Sequence, residues 1–428
     1  MPPEEPSPPA VRPLLTRRRF LAMTAGCLAL GGAGYPLAVI SPPPRLADLT
    51  LSDAALALIR EAWVGLDPAK VLDVHCHVIG LGVGGTGCFV HPDSLSYLSP
   101  LRKLKTRIYK GAAGVHDDAR ADALFVERLV DLVTHQSPRV RAVLLPFDKH
   151  FKPDGTEDLA RTEFHTPNDY VLGLAEQHPD LFLPGCSVHP YRADALDELT
   201  RCQERGARLC KWLPNAMGMD PADPRCDAFY ERLAALGMPL LSHAGEEQAV
   251  HAEEAQELGN PLRLRRALER GVTVIVAHCA SLGACEDLDA PADAAGKRPK
   301  ASCYSLFRRL LTEERWNGRL FGDVSAMTQF NRCGVALPDV LGSPEVHGRL
   351  LNGSDYPLPA IDPLIRTGLL VEQGLLDAAE RPAINELFAY NPLTFDFVLK
   401  RRLRRVGPDG DVQRFGDAVF ETARVLGA

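Results

Sequence analysis

The stretch "VLDVHCHV" (Val71–Val78) is a short apolar run broken by two imidazoles. Its valines and leucine favour a buried, pleated strand. Successive side chains on a strand point to opposite faces, so His75 and His77 share one face and Cys76 takes the other. Two neutral imidazoles on one face make a partial site for zinc or a similar divalent ion. Cys76 then belongs to the helix layer behind the strand and is no ligand.

Working outward, seven more runs read the same way: Val140–Phe147, Leu181–His189, Ala207–Leu213, Pro239–His243, Val272–His278, Arg319–Ser325 and Arg349–Asp355. Helical patterns separate them, such as "DAFYERLAAL" (Asp227–Leu236) and "PLRLRRALER" (Pro261–Arg270), the second stopped by Gly271. Near-continuous apolar strands alternating with helices indicate parallel strands buried on both faces. Eight such units in roughly 300 residues predict an α/β fold, a (β/α)8 barrel with its site at the C-terminal ends of the strands. An open doubly wound sheet is the alternative, but no Gly-x-Gly-x-x-Gly follows the first strand, so a dinucleotide fold has no support. Long loops after the second strand ("DKHFKPDGTED") and the sixth ("ADAAGKRPKAS") are expected to overhang the catalytic face, the latter as a polar, mobile insertion.

Polar residues recur where these runs end. "CKWLP" carries Lys211, "LLSHAGEE" carries His243, "VIVAHCAS" carries His278 and "NGSDYP" carries Asp355. A single histidine at such a place is usually a satisfied core or loop residue. Several in phase with the strands, beside His75 and His77, form a ring at the end where barrels keep their chemistry. Lysine is rarely buried unpaired. Lys211 therefore has a bland reading too, an ion pair with a barrel carboxylate such as Asp323. His189, Trp212, Arg192, His165 and Glu246 lie near the expected mouth, where packing or capping serves as well as binding.

Taken together, "DVHCH", "CKWLPNAMGMDP", "PLLSHAGEE", "VIVAHCAS" and "NGSDYP" resemble the amidohydrolase superfamily, in the amidohydrolase-related branch that also holds decarboxylases and lactonases. The likeness spans roughly residues 70–395. It implies a divalent metal, zinc first, as one or two ions held by His75, His77, Lys211, His243, His278 and Asp355. Asp355 would ligate and take a proton from the attacking water. His278 would bind a second ion, or polarise a carbonyl and shuttle a proton. In two-metal relatives the strand-four lysine is N-carboxylated and bridges both ions; otherwise Lys211 stays an ammonium that orients an anionic substrate. The implied activity is hydrolysis of a C–N or C–O bond in a small-molecule amide, lactone or ester. The alternatives are a non-oxidative decarboxylase of an aromatic or unsaturated acid, and an exported metal-binding protein without turnover.

The chain ends carry a different message. Thr16-Arg17-Arg18-Arg19-Phe20-Leu21, followed by a Gly/Ala-rich apolar segment to Ile40, resembles a twin-arginine export signal. It implies the export machinery as a partner and a periplasmic or exported protein, with residues 20–40 also long enough for a membrane anchor. Residues 1–45 are read as signal plus linker, 46–400 as the barrel and 401–428 as a tail helix, with "KRRLRR" as a solvated helix end. The formal charge of −7 without a basic stripe argues against nucleic acid as partner. Eleven cysteines, scattered and odd in number, read as core thiols rather than a disulfide framework.

Overall fold

The computed structural model describes residues 42–250 and 252–427. The signal or anchor expected within residues 1–40 lies outside them. Among the described residues no helix is long and apolar enough to cross a membrane.

Each expected run contains one strand: β1 Leu72–His77, β2 Arg141–Leu145, β3 Phe182–Pro184, β4 Cys210–Trp212, β5 Leu240–Ser242, β6 Val274–Val276, β7 Leu320–Asp323 and β8 Leu350–Leu351. The strands are shorter than the apolar runs, because the ends of several runs leave the sheet, carrying His243, His278 and Asp355 just beyond β5, β6 and β8. β1, β2 and β3 pair in parallel, as do β4 through β8. A parallel bridge between Cys186 and Cys210 joins β3 to β4. At the other seam, Val74 N–H donates to Asn352 O and a bridge links Cys76 to Tyr356. The sheet thus closes into the (β/α)8 barrel.

The interior is filled by Leu72, Val74, Val143, Leu145, Leu183, Leu209, Leu241, Ile275, Phe321 and Leu351. This layer sets the phase of the ring above it. Leu209, Leu241 and Phe321 point inward, so two residues on, Lys211, His243 and Asp323 point inward as well. β1 needs a device. Leu72 and Val74 face the interior, and strict alternation would send Cys76 there too. The pairing of β1 with β2 shifts register between Asp73 and Cys76. This irregularity flips the phase, so Cys76 packs outward with Phe125 and Leu129 and both imidazoles face in. Asp73 Oδ1 accepts from His75 N–H at 3.0 Å across it.

Three expectations change. The insertion after β6 is a stapled hairpin: Ala284–Glu286 pairs antiparallel with Lys300–Ser302, and Cys285 bonds to Cys303. The other eight cysteines among the described residues are free and buried. The residues after 400 do not stand apart as a tail. Ala423 and Leu426 close the bottom of the barrel interior, and Thr422 Oγ1 exchanges hydrogen bonds with the Leu72 backbone. Lys400, read as part of a solvated basic run, is buried. Its ammonium donates to Asp396 Oδ2 at 2.5 Å and Gly353 O at 2.6 Å. Pro42–Ala428 forms one compact unit.

Candidate metal centre

The ring residues meet in a cavity at the C-terminal end of the barrel, bounded by Phe147, Phe164 and Tyr109 on its apolar side. His75, His77 and Asp355 converge most closely. His75 Nε2 lies 3.0 Å from His77 Nε2 and 3.4 Å from Asp355 Oδ1, and His77 Nε2 lies 3.2 Å from the same oxygen. A tetrahedron around an ion with bonds of about 2.0–2.1 Å has edges of about 3.3–3.4 Å. The three separations are close to those edges.

Hydrogen bonds around the trio orient its lone pairs. His75 Nδ1 lies 2.9 Å from Asp323 Oδ2. A carboxylate accepts, so Nδ1 carries the proton and Nε2 presents a lone pair to the cavity. Asp323 also accepts from His278 N–H, Ser325 N–H and Ser325 Oγ–H. His243 repeats the arrangement. Its Nδ1 lies 3.3 Å from Glu247 Oε2, while its buried Nε2 has no hydrogen-bond partner among the described residues. His243 Nε2 is thus a buried imidazole nitrogen left unpaired beside the trio, which is costly unless a cation shares it. The donor set of His, His and Asp suits zinc or another borderline divalent ion.

Electrostatics keep these groups ready to ligate. Burial pushes His77 down to about 4 and holds His243 and His278 well below the ordinary imidazole value, so all three are neutral at pH 7. Burial works to raise Asp355, but the neighbouring His75, His77 and Lys211 overcome it and hold the carboxyl well below its usual range. Burial lowers Lys211 to about 8, against the pull of Asp355, Asp323 and Glu247. Lys211 Nζ sits 3.1 Å from His75 Nε2. The bland pairing with Asp323 is not the one formed, because Asp323 is engaged by His75 and Ser325.

Backbone strain marks the same place. His278 (φ 39°) and Asp355 (φ 60°) adopt left-handed conformations that non-glycine residues avoid. Asp355 N–H donates to His75 O at 2.6 Å, which ties the β8 exit to β1. Gly353 is required there, since a Cβ would meet His75 Cβ at 2.7 Å.

His278 stands apart from the trio. Its ring stacks 6.3 Å from His75 and meets His243 edge-on at 4.7 Å, and its Nδ1 lies 3.2 Å from Arg332 Nη1. The second-tier candidates do other work. His189 is fully buried, Nε2 donating to Met217 O and Nδ1 accepting from Tyr191 N–H. Trp212 packs in the helix layer on Phe229 and donates to Val188 O. Arg192 pairs with Asp148 and Asp194. His165 Nδ1 bonds Phe147 O, and Glu246 accepts from Gln248. Residues that no strand pattern pointed to are Glu247, Arg332 and Tyr109, which arrive from loops and from the helix Pro100–Ala112. Asp323 was legible, at the end of "LFGD", but as a partner for the wrong residue.

The sequence model of the amidohydrolase family matches residues 72–387. No curated protein matches the chain. Solved structures similar to it include a probable 2-pyrone-4,6-dicarboxylic acid hydrolase from Acinetobacter baumannii, 16% identical, covering 74% of this chain and 99% of that one, with a TM-score of 0.42. A 5-carboxyvanillate decarboxylase from Sphingomonas paucimobilis is 14% identical, covering 83% and 98%, with a TM-score of 0.45. An uncharacterised TIM-barrel protein from Bordetella bronchiseptica is 14% identical, covering 76% and 99%, with a TM-score of 0.43.

Proposed function

The chain belongs to the amidohydrolase family, and on that premise we propose an exported, metal-dependent hydrolase that cleaves a C–N or C–O bond of a small amide, lactone or ester. The observation that carries this reading is the convergence of His75 Nε2, His77 Nε2 and Asp355 Oδ1 within one cavity. These three atoms would hold a zinc ion, with His243 Nε2 the next candidate. When bound, such an ion supplies Lewis acidity toward a carbonyl and acidifies a water.

The remaining steps fall to the chain. Asp355, ionised at neutral pH, accepts the proton of the attacking water and passes it to the leaving group. Phe147 and Phe164 line the cavity with apolar surface. His278 is neutral, and its Nδ1 accepts from Arg332, so its proton sits on Nε2. It can then donate to a developing oxyanion, and is a donor rather than a ligand. This favours one ion over two. It also favours an unmodified Lys211, whose carbamate would have a second ion to bridge.

Export through the twin-arginine route is proposed from Thr16–Leu21. The Cys285–Cys303 disulfide supports it, since such bonds persist in oxidising compartments.

The test is metal content and turnover on a panel of lactones, amides and esters, comparing wild type with His75→Ala and Asp355→Asn. His75→Ala should lose the metal, and Asp355→Asn should lose turnover by at least a hundredfold. Full turnover and full metal content in Asp355→Asn would remove it as base. Carbon dioxide release from a carboxylate panel, without hydrolysis, would replace this reading by decarboxylation.

A further inference from the structure

The loop after β1 carries the helix Pro100–Ala112 to the barrel mouth. Its Tyr109 lines the cavity and donates to Ala249 O, and its Lys105 Nζ donates to Gln248 O at 2.6 Å. These bonds fix the helix to the cavity wall, yet none of its residues is buried. At its start lie Leu95, Tyr97, Leu98 and Leu101, which are 40%, 86%, 94% and 63% exposed. They are four of the ten large apolar side chains exposed among the described residues, gathered within seven positions. Exposed apolar side chains scattered singly need no account, but a cluster marks a surface that meets a partner.

The charge around the cluster says which partner. Residues 95–112 hold five basic side chains and no acidic one, in a chain whose formal charge is −7. Arg102 pairs with Asp93 and Glu163, and Lys110 with Asp118. Lys103 Nζ lies 3.0 Å from the centroid of the Tyr97 ring, and Arg107 is exposed; among the described residues neither pairs with a carboxylate. A second copy of the chain, related by a two-fold axis, would bring these cations against their own kind. An anionic lipid surface complements them, with apolar side chains in the headgroup boundary and the cations on the phosphates. Tyrosine suits that boundary, having an apolar ring and a polar tip.

We propose that residues 95–112 dock the protein on an anionic phospholipid surface, with Tyr97, Leu98 and Leu101 seated at the headgroup boundary and Lys103 and Arg107 on the lipid phosphates. The inference is independent of the reaction proposed above and of any anchor in residues 20–40. Leu101 precedes Tyr109 on the same helix by eight positions, about 12 Å along its axis. Docking therefore holds the mouth of the cavity close to the lipid.

The test uses the full chain with Leu98→Cys carrying an environment-sensitive fluorophore, in a Cys27→Ser background. The eight free cysteines among the described residues are buried and stay unlabelled. Vesicles of phosphatidylglycerol with phosphatidylcholine are compared with vesicles of phosphatidylcholine alone. The anionic vesicles should shift the emission to the blue and shield the probe from iodide. A probe at Val412, which is also exposed, should not respond. The probe reports the patch itself, so binding through residues 1–41 does not imitate the result. Lys103→Glu with Arg107→Glu should weaken the apparent affinity for anionic vesicles at least tenfold, as should raising salt from about 0.05 M to about 0.5 M. Lys103→Gln with Arg107→Gln should fall between, and stands in should the charge-reversed chain not fold. No blue shift with anionic vesicles would overturn the proposal. So would an equal shift with neutral vesicles or at Val412, or an unchanged affinity in the charge variants. A shift that needs no vesicles and grows with protein concentration would overturn it too, and assign the patch to a second copy.

Discussion

Asp323 shows how much one buried carboxylate decides. It fixes the proton of His75 on Nδ1, and so decides which nitrogen faces the cavity. In Asp323→Asn the amide can donate to Nδ1 and move the proton to Nε2. Zinc affinity should fall tenfold to a hundredfold, measured by competition with a chelating dye. His77 supplies a pH test. Its folded value is about 4 against ~6.5 in an unfolded chain. Between the two, the unfolded chain binds a proton that the folded one refuses, so this residue's contribution to stability is lost as pH falls from about 6.5 to about 4. Metal-free wild type should therefore lose stability relative to His77→Gln across that window, measured by urea unfolding. A constant difference would show that His77 titrates normally. At this scale the sequence was informative where a polar residue ended an apolar strand: His75, His77, Lys211, His243 and Asp355. It was silent on Arg332 and Glu247, because loop paths carry no periodicity that says which side chain returns to the site.

Two elements carry the geometry beyond what alternation allows. The register shift in β1 turns a phase that would aim Cys76 into the barrel interior into one that presents two histidines there. Alternation of side chains predicted that the histidines share a face; it could not say which, since a shift of one residue exchanges the faces. The β8 exit is held from below by the helix Pro392–Arg402, whose Lys400 donates to Gly353 O. Asp396 is its partner, and burial pushes this carboxyl up to about 7 even with Lys400 alongside. In Lys400→Met that carboxyl rises further and takes up a proton at neutral pH, so the loss is that of an unsatisfied buried polar group, about 1–3 kcal/mol. Lys400→Met with Asp396→Leu should cost less, because the pair leaves together. Denaturant midpoints check both. The basic run "KRRLRR" read as solvated because composition does not reveal that one of its lysines faces the core.

At the scale of the whole molecule, eight apolar runs at regular spacing were enough to read a barrel, because barrel strands are buried on both faces and leave an unbroken signal. The bottom closure was not legible. Ala423 and Leu426 complete the interior layer from a one-turn helix too short to carry a periodic pattern. Removing residues 417–428 opens the base of the barrel and leaves Asn352 N–H without Val419 O. The truncated chain should melt several degrees lower while keeping His75, His77 and Asp355, read by thermal unfolding with and without zinc. The disulfide between Cys285 and Cys303 was equally hidden, since eleven scattered cysteines specify no pairing.

All three scales converge on one claim, that His75, His77 and Asp355 form a metal centre. Crystals of zinc-loaded protein, measured on both sides of the zinc absorption edge, test it directly. The account predicts one anomalous peak among His75 Nε2, His77 Nε2 and Asp355 Oδ1, with Lys211 beside it as a bare amine. A second peak bridged by extra density on Lys211 Nζ would contradict the one-ion reading. No peak among these three residues in zinc-saturated crystals would contradict the claim itself.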